Sequence, residues 1–236
     1  MSGSNRKVFN LGFSKTGTTS IEQAFQLLGY RVSKGHWKYH YNYYLLAVAI
    51  QGDYDEIVRY SRYFDAFCDG PWGGGTDLYK RLEQEYPDAR FLLTIRDPDK
   101  WYDSLVTMLT MFDDDERTAM STYHRNGLFG TIYWFRKIFD IEELHGNRDK
   151  IITKYRAYNE EVQEYFRARN RELYVVDVST EANPWQGLCG FLEREVPDAP
   201  FPRLNSAPRD KQKTQKRLRE QIAAALDLDF LLGSDE

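Results

Sequence analysis

The feature that most constrains this chain is the stretch of residues 12–20, Gly-Phe-Ser-Lys-Thr-Gly-Thr-Thr-Ser. A short apolar run, residues 8–11, precedes it as a buried strand would. A helical pattern follows it, with apolar side chains at i, i+3, i+4 and i+7: Ile21, Ala24, Phe25 and Leu28. The pattern predicts a strand, a loop and a helix N-terminus. The N–H groups of such a loop and the helix dipole both favour a bound oxyanion.

The spacing of this loop is close to that of a Walker A sequence but departs from it at the lysine. Gly12 and Gly17 have the GxxxxG separation, after which a Walker A loop continues with Lys-Ser/Thr for the terminal phosphates and Mg²⁺. Here Thr18-Thr19 follow instead, and Lys15 lies two places before the second glycine. A Gly/Ser turn is the simpler interpretation. A lysine with several hydroxyls at this junction nevertheless favours anion binding.

Composition excludes several classes of protein. The chain has 236 residues, of which 42% are hydrophobic, enough for a sizeable core. A formal net charge of −4 argues against non-specific nucleic-acid binding. The N-terminal segment is polar and no apolar run approaches the ~20 residues that span a bilayer, so we expect a cytoplasmic protein without a membrane partner. Cys68 and Cys189 fit neither a metal site nor a disulfide framework, which favours a reducing compartment.

Strand and helix patterns alternate along the chain. The predicted strands are residues 8–11, 30–33, 64–68, 90–95 and 173–178. The run 90–95 is nearly all apolar, as a central parallel strand should be. The alternation predicts an α/β fold with three α/β/α layers around a mostly parallel sheet of about four to five strands, like that of P-loop NTPases, and a helix-rich C-terminal half. We expect residues 1–236 to form a single domain.

The spacing of apolar residues and the residues typical of helix ends also predict the helices. The predicted segments are residues 53–63, 77–86, 128–139, 150–169, 184–192 and 211–232. Asp97 is predicted to cap a helix that has Pro98 at its first position. We interpret the aromatic run 128–139 as a packing helix, and the charged run 150–169 as a solvated one.

Two further strand ends carry polar residues. Asp69 follows the strand 64–68 and begins a glycine-rich loop, and Arg96 follows the strand 90–95. In open parallel sheets ligands bind at the carboxyl ends of the strands. An arginine fork there suits a phosphate, although a surface ion pair is the simpler role for a lone arginine.

Together the two loops resemble those of the cytosolic-type sulfotransferase family, which uses 3′-phosphoadenosine-5′-phosphosulfate (PAPS). In that family a loop of the type Pro-Lys-Ser/Thr-Gly-Thr-Thr holds the 5′-phosphosulfate. The matching residues here are Ser14, Lys15, Thr16, Gly17, Thr18 and Thr19. The second signature is an arginine at a strand end with a serine eight residues later, both on the 3′-phosphate, and Arg96 and Ser104 have that separation. The run of residues 86–98 also looks like one branch of the family.

The resemblance implies a sulfotransferase that moves a sulfuryl group from PAPS to a hydroxyl or amine of a small-molecule acceptor and releases 3′-phosphoadenosine-5′-phosphate (PAP). Lys15 would neutralise charge on the bridging oxygen, while Gly17, Thr18 and Thr19 would hold the 5′-phosphate. A sulfuryl group in transfer carries less negative charge than a phosphoryl group. Lysine and backbone dipoles can therefore suffice, and no metal is expected.

The residue that takes the acceptor's proton is left open by the sequence. Many family members have a histidine base at the end of the strand between the two motifs, where this chain has Asp69. A carboxylate can act as a general base, but Asp69 can equally cap the glycine-rich loop. His36 and His40 are alternative bases, and His36 is preferred because it follows a predicted strand.

Other assignments are weaker or open. The family's C-terminal Arg-Lys-Gly signature is missing, and Arg203 or Arg209 is the candidate replacement on the 3′-phosphate. The aromatic stretches 37–44 and 129–139 suggest a partly apolar acceptor pocket. A P-loop nucleotide kinase and a PAP-binding module without catalysis are the alternative functions. The oligomeric state is open.

Overall fold

The computed structural model of the chain describes residues 6–33, 40–123 and 129–204, with the backbone alone at 40–43, 123, 129 and 130. Its strands are β1 Val8–Asn10, β2 Val32–Ser33, β3 Ala66–Phe67, β4 Arg90–Thr94 and β5 Leu173–Val176. Its helices are α1 Thr18–Leu27, α2 His40–Gln51, α3 Asp55–Ser61, α4 Leu78–Glu85, α5 Pro98–Leu109, α6 Ala119–Tyr123, α7 Phe129–Phe139, α8 Arg148–Ala168 and α9 Pro184–Leu192.

The five strands form one parallel sheet in the order β2-β3-β1-β4-β5. Val8 of β1 lies opposite Ala66 of β3 on one side and Arg90 of β4 on the other. The chain first builds the sheet to one side of β1 and then to the other. The carboxyl end of β1 is therefore a topological switch point, where parallel sheets bind ligands.

Alternate side chains of the strands enter two separate cores, which gives the fold its three layers. Phe9, Phe67 and Phe91 point to one face, where they pack with residues of α2, α5, α7 and α8. Val8, Ala66 and Leu92 point to the other face, against residues of α1 and α9. The predicted three-layer fold with a parallel sheet is confirmed.

The local predictions that the described residues test were mostly right, and one was wrong; the predicted helix 211–232 lies outside the described residues. All five strands lie inside the predicted segments, and Asp97 caps α5 by accepting a hydrogen bond from the Lys100 N–H at 3.0 Å. The interpretation of residues 150–169 as a solvated helix was wrong for one of its faces. Helix α8 has charged residues on its outer face and buries a stripe that consists of Ile151, Ile152, Tyr155, Tyr158, Asn159, Val162 and Phe166.

Candidate active site

The backbone of the loop between β1 and α1 has a positive φ at two positions. Gly17 adopts φ +95° just before α1 and has no side chain that caps the helix. A Cβ on Gly17 would lie 3.2 Å from Cβ of Val178, so that both conformation and space favour glycine. Lys15 has φ +74°, which non-glycine residues seldom adopt and which occurs most often at functional sites.

Side chains of α5 and α8 donate hydrogen bonds to backbone carbonyl groups of this segment. Trp101 Nε1 donates to the Ser14 carbonyl at 3.0 Å, and Tyr158 Oη donates to the Leu11 carbonyl at 2.9 Å. Burial raises the pKa of the Tyr158 hydroxyl, which keeps it a donor. For the N–H groups of Gly17, Thr18 and Thr19, no partner is found within the described ranges. A loop whose carbonyls are hydrogen-bonded elsewhere and whose N–H groups have no partner is suited to bind an anion.

Thr16 is the loop residue whose polar groups are used internally. Its hydroxyl donates to the Phe13 carbonyl at 2.6 Å and lies 2.7 Å from Oγ1 of Thr94 on β4. Its N–H also donates to the Phe13 carbonyl, at 3.3 Å. Asn10 Oδ1 completes this network by accepting from the N–H groups of Gly12 and Thr94. Thr16 was predicted to contact the donor; its geometry fits the different role of fixing the loop to the sheet.

Arg96 follows β4 and reaches the same loop. Its Nη1 donates to the Lys15 carbonyl at 3.3 Å, whereas its Nε is buried and has no hydrogen-bond partner in the described part of the chain. A buried guanidinium N–H without a partner costs free energy that a bound anion would recover. Ser104 lies half-buried on α5, two helical turns further on. The pair therefore retains the arrangement expected of a phosphate site, and its role stays a prediction.

Asp69 stands at the end of β3 with φ +66°, in the left-handed region. Its Oδ1 accepts from the N–H of Gly70 at 3.1 Å, while for Oδ2 no hydrogen bond is found in the part of the chain that the structure describes. One oxygen thus supports the glycine-rich loop and the other is available to a ligand. Both roles that the sequence allows for Asp69 are compatible with this geometry.

The glycine-rich loop after β3 lies directly against the loop after β1. The N–H of Gly74 donates to the Leu11 carbonyl at 3.1 Å. A Cβ on Gly73 would lie only 2.5 Å from the carbonyl carbon of Leu11. Only glycine allows the two backbones to come this close, so Gly73 fixes the distance between Asp69 and the β1 loop.

A cavity of about 380 Å³, open to solvent, lies between these loops and the helices above them. Ser14, Asp69 and Thr131 are its polar lining residues. Its other walls are formed by Phe13, Leu46, Gly70, Gly73, Gly74, Met108, Trp134 and Phe135. The expectation of a partly apolar pocket beside residues 129–139 agrees with this lining. Sequence reasoning did not find Thr131, although its spacing from Trp134 and Phe135 marks one helical face.

The C-terminal end of the described chain returns to α1. Trp185 Nε1 donates to the Ala199 carbonyl at 2.7 Å, and the Leu204 N–H donates to Oγ of Ser20 at 3.1 Å. Arg203 donates from Nη2 to the Glu181 carbonyl at 3.0 Å. Of the other candidates, His36 and Arg209 lie outside the described residues, as does the side chain of His40.

Within the described ranges, no group of three or more His, Cys, Asp or Glu side chains is placed to hold a metal ion. No helix of these ranges is long and apolar enough to cross a bilayer.

Fold and site together define an α/β protein with a loop of open backbone N–H groups at the switch point of a parallel sheet. The family model described as "Sulfotransferase domain" matches residues 7–209 of the chain. The chain therefore belongs to the sulfotransferase family and is a transferase enzyme. The family resemblance predicted from the two motifs is confirmed.

The chain is also similar to individual known proteins. Ava biosynthesis cluster protein M of Aspergillus versicolor is 27% identical over 220 residues, which cover 84% of this chain and 80% of that protein. The crystal structure of a sulfotransferase from Alicyclobacillus acidocaldarius shares 14% identity, with a TM-score of 0.49 and a coverage of 96% of each chain.

Proposed function

We propose that this enzyme transfers a sulfuryl group from PAPS to a hydroxyl or amine of a small acceptor and releases PAP. The observation that carries the proposal is the position of Ser14. This residue belongs to the anion-binding loop and also lines the cavity that Asp69 lines. A donor on the loop and an acceptor in the cavity would therefore meet at one place.

The residues around the loop fit the donor. The open N–H groups of Gly17, Thr18 and Thr19 suit a 5′-phosphate at the N-terminus of α1. The unpartnered Nε of Arg96 suits the 3′-phosphate, with Ser104 as its neighbour in the motif and Arg203 as a further candidate. Thr16 is assigned to fixing the loop, because its hydroxyl and N–H are already bonded.

The transfer reaction needs a positive charge beside the leaving oxygen and a base beside the acceptor group. PAPS supplies the activated sulfuryl group, whose transfer breaks the bond from sulfur to the bridging phosphate oxygen and forms a bond to the acceptor oxygen or nitrogen. Lys15 stabilises the negative charge that develops on the bridging oxygen. Asp69 accepts the acceptor's proton at Oδ2, and His36 is the alternative base.

The acceptor is proposed to be a small molecule, because the cavity that Asp69 lines has mostly apolar and aromatic walls with a few polar groups, as small-ligand sites do. The relative named as a biosynthesis cluster protein supports the same class. The proposed compartment is the cytoplasm, since Cys68 and Cys189 are buried free thiols, as is usual under reducing conditions.

Calorimetric titration with PAP, paired with a PAPS turnover assay, tests the proposal. Wild type should bind PAP without added Mg²⁺, and Arg96→Ala should bind it at least ~10-fold more weakly through loss of charge-assisted hydrogen bonds. Lys15→Ala should lower turnover by ~10²-fold or more, whereas the exposed Lys100→Ala should not.

Three results would decide against the proposal. Absence of PAP binding at millimolar concentration, in wild type and Arg96→Ala alike, would overturn it. ATP binding that requires Mg²⁺ would favour the nucleotide kinase. PAP binding without turnover of PAPS on any acceptor would favour a binding module.

A further inference from the structure

The cavity beside Asp69 contains a polar group whose role the transfer reaction does not explain. Thr131 lines this cavity from α7, and 4% of its surface is exposed. Its hydroxyl oxygen is buried, and none of the described residues forms a hydrogen bond with it. Buried polar atoms are paired in the great majority of cases, so an unpaired one requires an explanation.

The surroundings of Thr131 show that the cavity would favour an apolar side chain at this position. Trp134 and Phe135, three and four residues later, share the same helical face, and Leu46 and Met108 line the cavity from α2 and α5. Valine has the shape of threonine without its hydroxyl and would fill the position at no polar cost. A threonine that keeps an unpaired hydroxyl in an apolar wall is explained if a ligand pairs with it.

We propose that Thr131 is a specificity-determining residue that binds a second oxygen of the acceptor. This inference rests on the proposed function for the identity of the first, reacting group. The acceptor class is then a small, mostly apolar molecule with two polar groups, one near Asp69 and one for Thr131. Because a hydroxyl both donates and accepts, the second oxygen belongs to a hydroxyl, carbonyl or ether.

The cavity explains why this second contact gives selectivity. Its apolar walls bind any ring of the right size and cannot reject an analogue that lacks one oxygen. A site built to hydrogen-bond an oxygen does reject the analogue, because the hydroxyl is then left unpaired. Thr131 thus selects among acceptors that Asp69 alone would accept.

Equilibrium dialysis without nucleotide tests this binding contact separately from sulfuryl transfer. The probes are 1- and 2-naphthol and the isomeric dihydroxynaphthalenes, which differ by one oxygen. Wild type should bind at least one dihydroxynaphthalene about tenfold more tightly than the matching naphthol, the ratio expected for one neutral hydrogen bond. Thr131→Val should lose this preference, and Thr131→Ser should keep it.

The stability of the ligand-free variant gives a second readout that a merely structural role would not produce. Thr131→Val should unfold at the same temperature as wild type or a higher one, since it removes an unpaired buried hydroxyl. A lower unfolding temperature, an equal preference in Thr131→Val, or no preference in wild type would each overturn the inference. If the preference is found but PAPS is never turned over, the proposed function fails and the acceptor subsite stands.

Discussion

Tyr155 is hydrogen-bonded to both backbone polar groups of Arg96. Its hydroxyl accepts from the Arg96 N–H at 2.9 Å and donates to the Arg96 carbonyl at 3.0 Å. Its ring stacks on Trp101 with ring centroids 4.0 Å apart, and Trp101 in turn donates to the Ser14 carbonyl. Through these contacts of Tyr155 and Trp101, α8 fixes the two proposed phosphate-binding segments relative to each other.

Removal of the Tyr155 hydroxyl should therefore weaken nucleotide binding, although this hydroxyl is not proposed to contact the nucleotide. In Tyr155→Phe the two backbone groups of Arg96 lose their partner, which should cost ~1–3 kcal/mol of unfolding free energy and about tenfold in PAP affinity. Thermal unfolding and PAP calorimetry measure the two effects. The matched control is Tyr165→Phe on the same helix, whose hydroxyl contacts Glu83 at 3.4 Å. Equal effects in both variants would contradict the assigned role of Tyr155.

Gly73 should be intolerant of even one methyl group. In Gly73→Ala the new Cβ would collide with the Leu11 carbonyl, 2.5 Å from its carbon, and would push the two loops apart. Overpacking of this kind costs ~1–3 kcal/mol, and turnover should fall because Asp69 and Lys15 separate. Thermal unfolding and the PAPS assay measure both losses.

The control for this prediction is Gly190→Ala. Gly190 is exposed on α9, and its Cβ would meet no atom within 4 Å. Alanine in a helix is more stable than glycine by ~0.5–1 kcal/mol, so this variant should be as stable as wild type or more so. If Gly73→Ala behaves like Gly190→Ala, the close contact of the loops is not needed.

The sequence predicts the parts of this molecule that depend on local pattern. The strand before residue 12 and the helix after it are marked by period and composition, and parallel pairing then brings Asp69 and Arg96 to the same sheet edge. The strands proved shorter than predicted. For example, the segment 64–68 contributes only Ala66–Phe67, since the chain already turns into the positive φ of Asp69.

The supporting contacts could not be predicted in the same way. Tyr155 and Tyr158 bond to groups 59 and 147 residues away, and nothing in the local pattern of α8 indicates those partners. The alternating charges of residues 150–169 concealed the buried face from which both tyrosines reach the site. Thr131 looks like an ordinary helix residue until the cavity beside it is known.

The start of β3 offers a test of pH dependence that is independent of catalysis. Asp65 accepts three hydrogen bonds from Arg31, from Nε and Nη2 at 2.9 Å each and from the backbone N–H at 3.2 Å, which join the starts of β2 and β3. The hydrogen bond from Arg31 holds the pKa of the Asp65 carboxyl below its usual value. A lowered folded-state pKa stabilises the fold above the unfolded pKa of ~3.9, and this stabilisation disappears as the pH falls through the lower folded value.

Asp65→Asn should accordingly lower the unfolding free energy by about 1 kcal/mol at pH 7, since Arg31 is largely exposed. The difference from wild type should shrink below pH ~4, where the carboxylate becomes protonated. Urea unfolding at pH 7 and at lower pH measures it. The exposed Asp88→Asn is the control and should show no comparable pH-dependent loss. A difference that stays constant with pH would contradict the charge-based explanation.

Asp69→Asn separates the two roles that Asp69 can have. Asparagine keeps an oxygen for the Gly70 N–H and tolerates the left-handed φ of +66°, so the glycine-rich loop should keep its shape. It cannot accept a proton, and turnover should fall by ~10²–10⁴-fold if Asp69 is the general base. PAP affinity should stay within about twofold of wild type, since the donor residues are unchanged.

The comparison with His36→Ala identifies the base. If Asp69 removes the proton, Asp69→Asn should lose turnover while His36→Ala retains most of it. The opposite pattern would assign the proton to His36 and leave Asp69 only its bond to the Gly70 N–H. Normal turnover in both variants would show that neither side chain is required, because one lost general base costs at least ~10²-fold. Steady-state kinetics at saturating PAPS, with PAP calorimetry on each variant, distinguishes these results from a loss of donor binding.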